Sequence, residues 1–153
     1  MKKLAAIVAC ILLYSAQGFC TDTSEMTFPT APLAIANSKT RVNFTVEVAT
    51  TGPQLEHGLM FRKEMAKDHG MLFIFGAPQH IQMWMKNTII PLDMLFVNRD
   101  GMIAQIVRNA KPESEDIIAS VGSDITQVIE LNGGAADYYH IATGDRVIYP
   151  VTK

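Results

Sequence analysis

The chain has 153 residues, 13 basic against 15 acidic side chains, a net charge of −2 at pH 7 and 48% hydrophobic residues. That is the size and apolar content of one domain with a real core. The charge counts against nonspecific binding to nucleic acid or an anionic membrane, which needs an excess of Lys and Arg, and no nucleic-acid partner is expected.

Chain order begins with MKKLAAIVACILLYSAQGFC. Lys2 and Lys3 precede an apolar run over residues 4–14, and small residues follow, which is the layout of a secretory signal peptide. Ala16 and Gly18 supply small side chains for cleavage after Gly18, so residues 1–18 are assigned to the signal. The run is shorter than the roughly 20 residues of a spanning helix, so no membrane span is expected after cleavage. Phe19 argues against lipid attachment at Cys20, because acylation sites want a small residue before the cysteine. The expected location is therefore periplasmic or secreted. Once Cys10 leaves with the signal, Cys20 has no partner for an internal disulfide.

Residues 19–32 are rich in Thr, Ser and Pro without a period and read as a flexible arm, so the domain is placed at 33–153. Val42, Phe44, Val46 and Val48 then alternate with polar residues, the mark of a half-buried strand. Residues 53–61 carry Pro53 at a first-turn position, with Leu55 and Leu59 four apart, and predict a short helix. Further strands are predicted at 71–75, 81–85, 92–98, 102–108, 127–131 and 146–151, with a hairpin turn at Asn98-Arg99-Asp100-Gly101 and a second short helix at 134–140. Seven or so strands with two short helices give a mainly β domain, a compact sandwich or barrel.

Three stretches stand out: GLMFR at 58–62 with GMLFIF at 70–75, WMKNTIIPLDMLFV at 84–97 followed by a DG turn, and VIEL at 128–131 with GDRV at 144–147. In this order and spacing they resemble domain-of-unknown-function family 192, small bacterial and archaeal proteins often carrying export signals. The resemblance spans about residues 42–150 and implies a compact β-sandwich-like fold. It implies no reaction, ligand or catalytic residue.

The candidate chemistry lies in charges set among apolar strands, which are expensive to bury unless paired. Asp93 shares a strand face with Leu95 and Val97, and Glu130 shares one with Val128. Lys86, Asn87 and Thr88 sit close to Asp93 in sequence, and Arg62 closes the GLMFR stretch. Two readings are open for these six residues. Either they line one polar pocket, or Arg62 and Lys86 neutralise the two carboxylates and pin loops to the core. Methionines offer a third signal, since thioethers bind Cu(I). In the HIQMWM stretch, however, strand alternation sends His80 to one face and Met83 and Met85 to the other, so core packing and no cofactor are expected. No paired histidine spacing or GxSxG element suggests hydrolysis. Trp84, Tyr138 and Tyr139 could stack on a sugar or serve as core and edge residues. The sequence thus points to a noncatalytic small-ligand-binding or accessory domain, with a polar or anionic ligand held near the WMKNT block. An acid/base enzyme using Asp93 or Glu130 is the alternative, and a Met-based copper protein is third.

Overall fold

The computed structural model describes residues 26–149. The signal peptide, Cys20 and the end of the last expected strand lie outside them. Among the described residues nine strands and two short helices follow in chain order: β1 (Thr30–Ala36), β2 (Arg41–Ala49), α1 (Gly52–His57), β3 (His69–Gln79), β4 (Gln82–Met83), β5 (Leu92–Asn98), β6 (Ile103–Ala110), β7 (Ile118–Ala119), β8 (Ile125–Asn132), α2 (Ala135–Tyr138) and β9 (Arg146–Ile148). The protein is mainly β, as its composition and periodicity predict.

Seven strands form one sheet in the order β6-β5-β8-β3-β2-β1-β9, and β4 pairs with β7 alone. A bridge between Met102 and Arg146, and the Ile103 N–H donated to the Asp145 carbonyl at 2.9 Å, draw the two ends of the sheet together. The sheet therefore curls into a half-barrel. β2 and β3 are the parallel neighbours, and the other strand pairs are antiparallel. Parallel neighbours require the chain to return to its starting end, and the crossover through α1 does this.

One face of the sheet buries Leu33, Phe44, Val46, Leu72, Leu95 and Ile129, closed by Ala135 and Ala136 of α2. The other buries Met71, Phe73, Met94, Phe96 and Val128 beneath Leu59, Ile81 and Met85. β5 lies between β6 and β8 and is buried on both faces from Leu92 to Val97, which is why LDMLFV is nearly continuous in apolar residues instead of alternating.

Some boundaries differ from expectation. β1 starts at Thr30, inside the stretch read as a flexible arm, with Leu33 and Ile35 buried. Pro32 is tolerated there because β1 meets β9 only from Ala34 onward, leaving that part of the strand with one neighbour. The expected strand at 81–85 shrinks to Gln82–Met83, since the chain turns back where the Thr88 N–H bonds the Met85 carbonyl at 3.0 Å. α1 begins as predicted, with a capping box between Thr51 and Gln54, but ends at His57 rather than 61 because Gly58 takes φ 48°.

Gly70 is fixed by packing. A Cβ there would lie 2.5 Å from the Glu130 carbonyl oxygen and 2.8 Å from the Leu131 side chain, at the first pair of the β3–β8 ladder. Gly70→Ala is expected to lower stability by at least about 2 kcal/mol, since backbone cannot yield as a side chain would. A urea midpoint unchanged from wild type would refute this.

Candidate functional site

The crossover from β2 to β3 leaves an open space over the second face of the sheet. Its walls are α1 with the turn after it, and the segment around β4. This cleft has a volume of about 370 Å³ and is lined by Leu55, His57, Met60, Met83, Thr88 and Glu130, among others. A second space of about 360 Å³, lined by Met26, Lys86 and Asn87, shares Glu56, His57, Met60 and Trp84 with the first. These shared side chains form the partition between the two.

Glu130 is the cleft's buried ionisable group, with 4% of its surface exposed. On β8 it stands opposite Met71 of β3 and Met94 of β5, so its neighbours across both ladders are apolar. Burial pushes its carboxyl up to about 8, so the group is largely protonated at neutral pH. A protonated carboxyl can donate one hydrogen bond and accept others, which a carboxylate cannot.

Thr88 is buried beside the same cleft, its hydroxyl donating weakly to the Lys86 carbonyl at 3.4 Å. Lys86 and Asn87 are exposed in the second space, with the Lys86 ammonium 5.9 Å from the Trp84 ring centroid. The junction is strained. Phe61 holds φ 62° and Asn87 φ 57°, and the Phe61 N–H donates to the Asn87 carbonyl at 2.8 Å. Positive φ is a genuine outlier for a side chain as bulky as Phe, and such strain collects at functional sites. At the start of that turn, Gly58 lines the cleft where a Cβ would meet the Phe73 ring at 3.1 Å.

Two of the six candidate residues go elsewhere. Asp93 lies on the opposite face of the sheet from Glu130, because the β5–β8 register sets Asp93 against Leu131 and Met94 against Glu130. It is fully buried and accepts from the backbone N–H groups of Asn109 at 2.8 Å, Gly134 at 3.1 Å and Ala136 at 2.8 Å. Among the described residues no basic side chain pairs with it, contrary to the ion-pair reading. Three oriented N–H groups do that work by tying β6 and α2 to β5. Arg62 is the second exception, held in a two-pronged pair with Glu47 at 2.7 and 2.9 Å. Glu47 stands opposite Met71, which in turn stands opposite Glu130, so the pair is anchored two strands away from Glu130 on the same face. The acid/base alternative therefore rests on Glu130 alone, since the oxygens of Asp93 are occupied.

The sequence reading missed His57, Met60 and Glu47. His57 and Met60 meet β4 only through the crossover, and Glu47 belongs to the polar face of an otherwise ordinary alternating strand. The methionines also part company. Met85 is fully buried, whereas Met83 is half-buried and lines the cleft. His80 is exposed, away from both spaces.

The curled sheet, the β2–β3 crossover and the floor carboxyl together define a small β domain with a partitioned cleft. The chain belongs to the DUF192 family, described as "Uncharacterized ACR", whose profile matches residues 34–149. Among solved structures it is similar to a transcription-regulator candidate from Sinorhizobium meliloti 1021, at 42% identity and a TM-score of 0.79 over 82% of this chain and 97% of that one. It is also similar to a protein of unknown function from Novosphingobium aromaticivorans DSM 12444, at 36% identity and a TM-score of 0.76 over 78% of this chain and 85% of that one. No curated protein matches.

Proposed function

We propose that this is a noncatalytic, exported ligand-binding or accessory protein that takes a small polar molecule into the cleft above Glu130. One observation carries the reading: a buried carboxyl, flanked by Met71 and Met94, faces an open cleft of about 370 Å³ instead of a basic partner. A protonated carboxyl that opens on a cleft can be given a hydrogen-bond partner by a polar molecule that enters it. Thr88 adds a second polar contact, and Lys86 and Asn87 across the partition suit an anionic or amide-bearing end. Export rests on the first 18 residues.

The regulator description of the Sinorhizobium protein is not carried over, because this chain has a net charge of −2 and no basic run to meet phosphates. Among the described residues no helix is long and apolar enough to cross a membrane.

The test is a thermal-shift screen of the protein against small sugars, carboxylic acids and phosphates. A ligand that binds only the folded state stabilises it by about 2.7 kcal/mol at about 100 times its Kd. The expected result is a stabilising compound whose effect disappears in Glu130→Leu and weakens in Thr88→Val. A compound that stabilises wild type and Glu130→Leu equally would place binding elsewhere and defeat the reading. The raised carboxyl also favours a second reading, an acid/base enzyme using Glu130. In that case Glu130→Gln would still bind the compound but lose its turnover.

A further inference from the structure

The partition between the two spaces carries a different kind of chemistry. His57, Met60, Met83 and Trp84 all line the first space, and three of them also line the second. His57 and Met60 are joined by one turn, the Met60 N–H donating to the His57 carbonyl at 3.1 Å, while Met83 comes from β4 on the facing wall. None of the three is sealed in the core, and the thioether of Met60 is engaged only by a weak contact with the Asn87 amide at 3.7 Å.

From this set we infer that the cleft mouth is a binding site for a soft monovalent metal ion, Cu(I), held by the imidazole of His57 and the sulfurs of Met60 and Met83. Thioether sulfur is a poor ligand for hard cations and a good one for Cu(I), and imidazole complements it. The surroundings favour the soft ion over its competitors. Among the described residues no group of three His, Cys, Asp or Glu side chains is placed to hold a metal, so the oxygen- and thiolate-rich sites preferred by Ca²⁺ or Zn²⁺ are lacking. A ligand set of one imidazole and two thioethers is neutral and leaves the ion's single charge uncompensated. Glu56, which lines both spaces, stands at the same mouth to balance it, whereas the face of the Trp84 ring is taken by the Lys86 ammonium. This is not the set suggested by HIQMWM: His80 and Met85 take no part, and His57 and Met60 arrive through the crossover.

His57, Met60 and Met83 stand at the mouth of the cleft whose floor carries Glu130, and they would hold the ion whether or not a ligand occupies that floor. The decisive experiment is a competition titration of the purified mature chain with Cu(I) against a chromogenic chelator, in a Cys20→Ser background that removes the remaining thiol. Trp84 fluorescence provides a second readout. The expected result is one Cu(I) per chain with submicromolar affinity and quenched Trp84 emission. Met60→Leu and Met83→Leu, which conserve volume and so leave the fold intact, should each weaken binding at least about tenfold, as should His57→Gln. Met65→Leu should leave it unchanged. Absence of stoichiometric binding, or binding indifferent to Met60→Leu and Met83→Leu, would overturn the inference without touching the Glu130 reading.

Discussion

Asp93→Ala is expected to destabilise the protein by about 3 kcal/mol or more, without loss of anything that binds in the cleft. The substitution strands the N–H groups of Asn109, Gly134 and Ala136 in a buried setting, and each unsatisfied donor costs about 1 to 3 kcal/mol. Asp93→Asn separates this account from an ion-pair one. An asparagine oxygen can still serve Asn109 and Gly134, which share one carboxylate oxygen, but its amide would confront the Ala136 N–H donor to donor. Its cost should therefore fall between wild type and Ala. Equilibrium denaturation measures both, and an Asp93→Ala protein of near-native stability would show that the three bonds contribute nothing net.

Glu130 should make the protein less stable as the pH rises through neutrality. Its folded-state carboxyl is raised by burial from 4.5 to about 8, so the folded protein holds a proton that the unfolded chain releases. Stability from this group is complete below the unfolded value of 4.5, declines between 4.5 and about 8, and is fully lost above. At 1.36 kcal/mol per unit the decline between pH 4.5 and 7 is about 3 kcal/mol. Glu130→Gln does not titrate and should lack this slope. The difference between variant and wild type across the range isolates Glu130 from every other ionising group, and parallel pH curves for the two proteins would refute the raised carboxyl.

Much of the architecture was legible because local signals agreed. The alternation in β2, the Asn98 to Gly101 turn and Pro53 behind Thr51 each specify their own geometry. Register between distant strands has no such signal. The alternation puts Asp93 with Leu95 and Glu130 with Val128, and both statements hold within their strands. Whether those faces coincide depends on how β5 aligns with β8, and the loops between them decide it. The two carboxyls end on opposite sides as a result. The same blindness hid the pairing of Arg62 with Glu47, which required knowing that β2 and β3 run parallel. The WMKNT-x-x-PLD block looked like one functional unit. It is two, divided at Pro91: Trp84 to Thr88 serve the cleft, and Asp93 secures the other face.

The wall that carries His57 has its own mechanical character. α1 is six residues long and buries none of them, and beyond its capping box it is tied down by Gln54, whose amide donates to the Thr27 carbonyl at 3.0 Å. The floor, by contrast, is β8 paired on both sides within the sheet. Segments with few buried contacts open at a small fraction of the global unfolding free energy. Amide hydrogens of α1 are therefore expected to exchange well before those of β8, which gives the cleft one yielding wall over a rigid floor.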